Sequence, residues 1–553
     1  MFKSKIFYIL SVSLIICLSA YIRLYKVGTL PASLYWDEII IGYDALSIAK
    51  TGKDHTGNIP ITFIKSFGDY KNPLYIYLTA GLMKFTGRSD EINIRLISIL
   101  SGILTNLAMI VLVKKWFKNN WLVLITGLLL AISPWSIILS RGGFEANLFL
   151  AITIWAIVCF CIFLENLKGK FLALSSILWG LTLYSYHAAK ITTPLILLSL
   201  IIFFKKEITK SKQWLLTSFI VLLVFVMPFL NIETLKTTFF RVEGVSQVGQ
   251  DEINNNAENL TKDKFMNVFR FFHDKRYILA KSYLDNYFKN ISTNFLFFEG
   301  DANTRHRLNG FGQMYLFELI TIVMGIYWLL RKNKDKQIKQ ILLIILLIAP
   351  IPSAISVNAP HALRSILLLI PLSIFSGLGL TYLLKNQFPK VLKELLIFII
   401  LYQVSSFFHQ YFIHYNYNSS SAWQYGYKET INYLKEIGVK DKEVIFTNDY
   451  SQALWYLAFY WPFEPSEFQK LAEVKYGENG EFWNTTGNFN NFIVKNGIDW
   501  HDYIGKKNVI LVEKPDKLIP DKLIKEMPKK SIYSPDGKIV FEITNTNDWN
   551  YAY

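Results

Sequence analysis

The chain is poor in charge and nearly without cysteine. Charged residues make up 18% of its 553 positions, where a water-soluble domain carries about a quarter. The deficit is matched by a hydrophobic content of 52% and a mean hydropathy of +0.27, which together exclude an ordinary soluble globular protein. The 3 cysteines, Cys17, Cys159 and Cys161, all fall in apolar runs, so a disulfide framework is excluded and free thiols within helices are expected. Several motifs are missing too: no Walker-type phosphate loop, no GxGxxG after a strand, no HExxH and no CxxC pair. Phosphate-loop nucleotide enzymes and dinucleotide oxidoreductases therefore lack their sequence support. There is no internal repeat and no low-complexity tract.

What the chain has instead is apolar runs of 14–22 residues, most of them long enough to cross a hydrocarbon layer of about 30 Å. They fall at residues 6–21, 92–113, 121–139, 147–164, 171–186, 191–204, 214–230, 313–330, 341–357, 365–384 and 395–412. The first is not followed by a small-residue cleavage site and is read as a retained helix. Net charge is +16 with a pI near 9.3. Much of that excess sits in short loops, as at Lys114-Lys115, Lys205-Lys206 and the basic run 331–339. Every second loop is Lys-rich, which predicts about eleven helices with the N-terminus cytoplasmic and the C-terminus outside. The same distribution makes nucleic acid a poor explanation of the basic charge. The expected fold class is thus a polytopic α-helical membrane protein in the cell membrane.

Two loops are long, residues 23–91 and 231–312, and both are expected outside. Within the first, residues 39–49 and 73–85 are short amphipathic helices expected to lie at the membrane interface. Beyond residue 412 no run is long enough to span. Residues 443–447 and 508–512 read as short buried strands. Residues 423–437 and 451–461 have helical spacing, and Ser534-Pro535-Asp536-Gly537 sits between apolar stretches as a hairpin turn. The division expected is a membrane domain over 1–412 and a small extracytoplasmic α/β domain over 413–553.

The residues that could carry chemistry gather in the outer loops. Asp37 and Glu38 are adjacent, so on a regular element their side chains point in different directions and can hold separate partners. A carboxylate beside an attacking hydroxyl or amine is what a group transfer needs as base; the plainer alternative is a solvated acidic pair at a helix end. Lys71, ahead of an amphipathic helix, is placed to meet a lipid phosphate or to snorkel. Asp54 with His55 or Asp69 could ligate a divalent cation, although their spacing fits no defined metal pattern, and no cofactor is otherwise indicated. Arg141 with Glu145, His187 with Lys190, Arg305-His306-Arg307, and His361 with Arg364 are ionisable groups in loops that the positive-inside pattern predicts to be poor in cations. As a group they favour an anionic ligand such as phosphate; singly, each can equally pair with a nearby carboxylate.

The arrangement resembles the GT-C fold membrane glycosyltransferases, in the clan of protein O-mannosyltransferases and lipid A aminoarabinose transferases. The resemblance rests on Asp37-Glu38 after the first helix, on the run Asp69-Tyr70-Lys71-Asn72-Pro73-Leu74-Tyr75-Ile76-Tyr77-Leu78, on Arg95-Leu96, and on Pro360-His361-Ala362-Leu363-Arg364 followed by Ile370-Pro371. It implies a polyprenyl-phosphate-linked sugar as donor, a protein, lipid or glycan acceptor, and transfer outside the membrane. It also implies Asp37 as catalytic carboxylate, Glu38 as its acceptor-side neighbour and Lys71 as a contact of the carrier phosphate. Arg141, Lys190 and Arg364 follow by loop position, with Arg305, Arg307 and His361 grouped among the phosphate-binding cations, and Glu145 with Asp54, His55 and Asp69 as acceptor or metal contacts. Asn72 replaces one proline of the family's Pro-Pro pair. Tyr70 stands where some members have an acidic residue, which puts a metal site of their kind in doubt.

Two alternatives share these features. A polysaccharide polymerase or ligase with a lipid-pyrophosphate donor would use the late loop 231–312. A lipid-linked-sugar transporter would place ionisable groups near mid-membrane, where this chain has almost none.

Overall fold

A computed structural model describes residues 2–66, 69–231, 254–255, 272, 274–385, 388–461, 463–475, 487–520 and 523–551. Each expected apolar run is helical. The helices are Phe2–Leu24, Glu91–Phe117, Asn120–Ile132 with Pro134–Arg141, Glu145–Asn166, Gly169–Thr182, Ala189–Phe203, Lys212–Val226, Phe317–Arg331, Lys336–Ile348, Leu369–Lys385 and Lys390–His409. Among the described residues, 7 are long and apolar enough to cross a membrane, or up to 8 if the bent pair is one span. Gly169–Thr182 and Phe317–Arg331, of 14 and 15 residues, are shorter than the spans expected there.

The chain divides into two compact units. The first comprises Met1–Tyr25, Asn72–Tyr75 and Ile97–His409; the second comprises Lys26–Lys71, Ile76–Leu96 and Gln410–Tyr553. The break at His409/Gln410 stands beside the one expected at 412/413. Of the first long loop, expected with the membrane domain, residues 26–71 and 76–91 fall in the same compact unit as the C-terminal region, and residues 72–75 fall in the unit of the membrane helices. Just under half of the other long loop, 231–312, lies outside the described residues; from residue 274 onward it is described.

In the membrane unit, small residues bring helices into backbone contact. A Cβ on Gly325 would lie 1.8 Å from the Phe375 carbonyl oxygen, and one on Gly379 1.7 Å from that of Thr321. Such close approach is how helices associate where lipid offers no hydrophobic drive. Asn120–Ile132 and Pro134–Arg141 meet at 50°, because proline at the first position of the second helix cannot donate to the turn before it. The carbonyls freed at the break are satisfied by side chains: Ala131 accepts from Arg23 Nη1 at 3.2 Å and Ile132 from the Tyr315 hydroxyl at 2.8 Å.

The second unit holds a mixed sheet. Its strands are β3 (Glu443–Thr447), β4 (Gly487–Phe489), β5 (Phe492–Lys495), β6 (Val509–Glu513), β8 (Lys530–Tyr533) and β9 (Ile539–Asn545), in the order β4-β5-β3-β6-β9-β8. β3 runs parallel to both β5 and β6, with Val444 opposite Phe492 and Ile510. β3 and β6 are the expected buried strands, and β8–β9 is the expected hairpin, turning at Gly537 with φ +81°. Two further pairs, β1 (Ile64–Ser66) with β2 (Asp69–Lys71) and β7 (Ile524–Glu526) with β10 (Asn550–Tyr551), are antiparallel.

One expectation fails here. Residues 39–49, which fall within helix Trp36–Thr51, were expected to lie at the membrane interface, yet every residue from Glu38 to Ala45 is buried. It packs against helices Ala453–Tyr460 and Pro465–Lys475. Gly42 is required there, since a Cβ would lie 2.5 Å from Ile94 and 3.0 Å from Phe459. The apolar run Ile39-Ile40-Ile41 faces protein rather than lipid. Tyr43 packs on Trp455 and Phe468 at 5.9 and 4.8 Å between ring centroids.

Candidate active site

Helix Trp36–Thr51 starts from Tyr35, whose backbone is extended, and carries Asp37 and Glu38 in its first turn. That end of a helix favours negative charge. From this shared turn the two carboxylates part.

Asp37 Oδ1 lies 2.6 Å from Lys71 Nζ, with the Asp37 side chain 33% and the Lys71 side chain 9% exposed. Lys71 closes β2, where it stands opposite Ile64 of β1. The short hairpin therefore sets the lysine, and the helix start sets the carboxylate. The pair is reachable from solvent on the carboxylate side.

Glu38 is fully buried, and both of its oxygens meet Arg95, at 2.9 Å from Nε and 3.2 Å from Nη2. It also accepts the Tyr35 N–H at 3.2 Å, closing a capping box. The rest of the guanidinium donates to the carbonyls of Val27, Pro31 and Ser33. The expected role of Glu38 beside an acceptor is therefore corrected: its carboxylate holds the 27–38 turn together through Arg95.

Among the described residues, Asp54, His55 and Asp69 of the first loop do not form a group whose ligand atoms could hold one ion. Asp54 is buried and its Oδ1 accepts from Thr56 N, Thr56 Oγ1 and Asn58 N, a local turn. The His55 ring is buried with Nδ1 at 2.7 Å from Asp44 Oδ1, edge-on to Trp455. Burial is the main influence on Asp44 and raises its carboxyl despite His55. Asp69 stands at the start of β2 opposite Ser66.

The remaining residues lie in the membrane unit. Arg141 is fully buried and donates to the carbonyls of Ile22, Arg23 and Tyr25 at 2.6–2.9 Å, so its guanidinium closes the end of the first helix. Glu145 is buried in the first turn of helix Glu145–Asn166. Lys190 Nζ donates to Asn72 Oδ1 at 2.5 Å and lies over the Phe229 ring. Arg305 N donates to Asn303 Oδ1, and Arg307 Nη1 to the Glu299 carbonyl at 2.9 Å. Arg364 acts electrostatically on His361.

His361 belongs to a constellation centred on a residue the sequence did not single out. Asp301 Oδ2 lies 3.0 Å from His306 Nδ1 and 3.7 Å from His361 Nδ1, and accepts the Ala362 N–H at 2.7 Å. Burial works to raise the Asp301 carboxyl. The His306 charge and hydrogen bond, helped by His361 and the Asn303 N–H, outweigh it and hold the carboxyl well below the usual carboxylate range. Burial pushes the His361 imidazole well down, with Asp301 opposing. Among the described residues, these three are a group whose ligand atoms lie close enough to hold a metal ion, within 4.8 Å of one another. The only signal in the sequence was the five-residue spacing of Asp301 and His306, since His361 is 60 positions further on.

Residues 70–231 match the family model described as dolichyl-phosphate-mannose-protein mannosyltransferase. A comparison with curated protein sequences found no match. Among solved structures, the chain is similar to the oligosaccharyltransferase AglB of Archaeoglobus fulgidus in complex with an inhibitory peptide and a dolichol-phosphate, at 12% identity and a TM-score of 0.52, covering 98% of this chain and 74% of that one. It is also similar to ArnT of Cupriavidus metallidurans in the apo state, at 11% identity and a TM-score of 0.51, covering 98% of each chain. The chain has the fold of the GT-C membrane glycosyltransferases.

Proposed function

We propose that the protein is a glycosyltransferase that moves a sugar from a polyprenyl-phosphate carrier to a hydroxyl or amine acceptor on the outer face of the cell membrane. The observation that carries this reading is the Asp37–Lys71 pair: a partly exposed carboxylate at a helix start, 2.6 Å from a nearly buried ammonium. The family model over residues 70–231, which begins beside Lys71, and the AglB complex with dolichol-phosphate support a lipid-phosphate carrier.

In the proposed reaction the acceptor oxygen or nitrogen attacks the anomeric carbon opposite the phosphate. The bond from that carbon to the phosphate oxygen breaks, the lipid phosphate leaves, and Asp37 takes the proton of the acceptor. Lys71 has two anions to serve. Without donor it holds Asp37; with donor bound, the carrier phosphate competes for the same ammonium, where it steadies the charge that develops on the leaving group. Moving the ammonium toward phosphate leaves Asp37 to the acceptor.

The test is Asp37→Asn in membranes supplied with a labelled polyprenyl-phosphate sugar. Transfer is expected to fall about 10²–10⁴-fold, the usual contribution of a positioned base. Near-normal transfer by a correctly folded variant would remove Asp37 from the mechanism.

A further inference from the structure

We propose that Asp301, His306 and His361 form a binding site for a Zn(II)-class divalent cation, with Asp301 Oδ2, His306 Nδ1 and His361 Nδ1 as ligands. This site lies wholly within the membrane unit and does not depend on the proposed transfer reaction.

The first argument is geometric. Zinc bonds to nitrogen and carboxylate oxygen of about 2.0–2.2 Å, tetrahedrally disposed, put ligand atoms roughly 3.4 Å apart. The carboxylate oxygen is 3.0 Å from one imidazole nitrogen and 3.7 Å from the other, close to that spacing for two of the three pairs, and all three ligand atoms lie within 4.8 Å of one another. The carboxylate oxygen has two lone pairs. One takes the Ala362 N–H, and the other, which meets His306 Nδ1 at 3.0 Å, turns to the metal when that nitrogen gives up its proton and binds the ion as well.

The second argument is the state of His361. Its side chain is 14% exposed, and Nδ1 is buried without a hydrogen-bond partner among the described residues. A buried polar atom left so is costly and calls for a ligand. Lying 3.7 Å from Asp301, it is too far for a hydrogen bond and well placed for a shared ion.

The third argument is the supporting shell. The His361 N–H is held by Asn290 Oδ1 at 3.2 Å. The Ala362 carbonyl accepts from Trp135 Nε1 at 3.2 Å, so the bent helix pair fixes this loop. His306 lies edge-on to Phe144, and its carbonyl accepts from Gln313 Nε2. Asp301 Oδ1 takes the Asn303 N–H at 2.8 Å. Metal sites are held in this way, by partners that orient the ligands. Two imidazoles with one carboxylate select a zinc-like ion over magnesium or calcium, which prefer oxygen donors throughout. Three protein ligands leave one position open for water or an anionic oxygen.

The experiment uses the full-length chain in detergent, stripped with a chelator and then titrated with Zn(II), with bound metal counted after equilibrium dialysis. Co(II) is used in parallel, its visible absorption reporting tetrahedral coordination. Wild type is expected to take one equivalent and to give the tetrahedral Co(II) spectrum. His361→Ala and Asp301→Asn should weaken binding at least tenfold, while His501→Asn, at an exposed pair with Asp499, should leave it unchanged. Asp301→Asn can still accept the Ala362 N–H, so it guards against a fold effect. Absence of saturable binding by wild type overturns the proposal, and so does binding that both ligand variants retain.

Discussion

Asp37 and Glu38 are consecutive residues of one helix turn, and they make opposite kinds of ion pair. Glu38 and Arg95 are both fully buried, with both carboxylate oxygens and most guanidinium donors engaged. Asp37 Oδ1 and Lys71 Nζ meet at 2.6 Å, with the carboxylate one-third exposed. A buried pair with every hydrogen bond made is a device for holding backbone, because losing either partner strands a charge out of water. A half-open pair loses less on separation and leaves its carboxylate within reach of a substrate. Adjacency in sequence thus says little about shared function: the helix turn sends one acid into the protein and the other toward solvent.

The largest expected effect comes from breaking the buried pair. Arg95→Met leaves Glu38 without its partner and should cost about 3–5 kcal/mol of stability, read as a large drop in the thermal midpoint of the detergent-purified chain. The double variant Arg95→Met with Glu38→Gln should recover part of that loss, because no buried charge is then stranded. If the single variant melts within a degree or two of wild type, the distinction between the two pairs is lost.

Asp37→Asn should separate the pairs in the other direction. Transfer is expected to fall about 10²–10⁴-fold, while the thermal midpoint falls much less than in Arg95→Met, since Asp37 is one-third exposed and the asparagine amide oxygen can still accept from Lys71 Nζ. A variant equally lost in stability and transfer would make Asp37 a second structural acid.

Lys71 comes next. Lys71→Met should raise the donor KM about 10–100-fold, the worth of a charge-assisted hydrogen bond, and Lys71→Arg should recover part of it because the charge is kept. An unchanged donor KM with reduced kcat would place the lysine on Asp37 alone.

The apolar frame was legible in sequence because each span is written locally: an unbroken apolar run with lysines beyond one end. Residues 443–447 and the turn at Ser534-Pro535-Asp536-Gly537 were legible for the same reason. What escaped depends on distant partners. Ile39-Ile40-Ile41 looks the same whether it faces lipid or protein, and only the aromatic helix Ala453–Tyr460, some 400 residues on, decides it. Glu38 looked like the companion of Asp37 because its true partner, Arg95, is 57 positions away. Arg141 looked like a phosphate ligand, and its Nη1 and Nη2 donate to three backbone carbonyls that lie more than 100 positions earlier. His361 was grouped with cations because Asp301 carries no local motif.

A third pair supplies the lower bound. Lys50 Nζ and Glu464 Oε1 lie 2.7 Å apart with side chains 46% and 58% exposed, so solvent screens both charges and each long side chain gives up rotamer freedom to meet the other. Glu464→Gln should shift stability by no more than about 0.5 kcal/mol and leave transfer unchanged. Lys50 is on the same helix as Asp37 and Glu38, which makes the variant a control for charge on that helix as such. A loss comparable to that of Arg95→Met would mean that charge balance, rather than burial with satisfied hydrogen bonds, governs this helix. The contrast between Asp37 and Glu38 would then need a different physical basis.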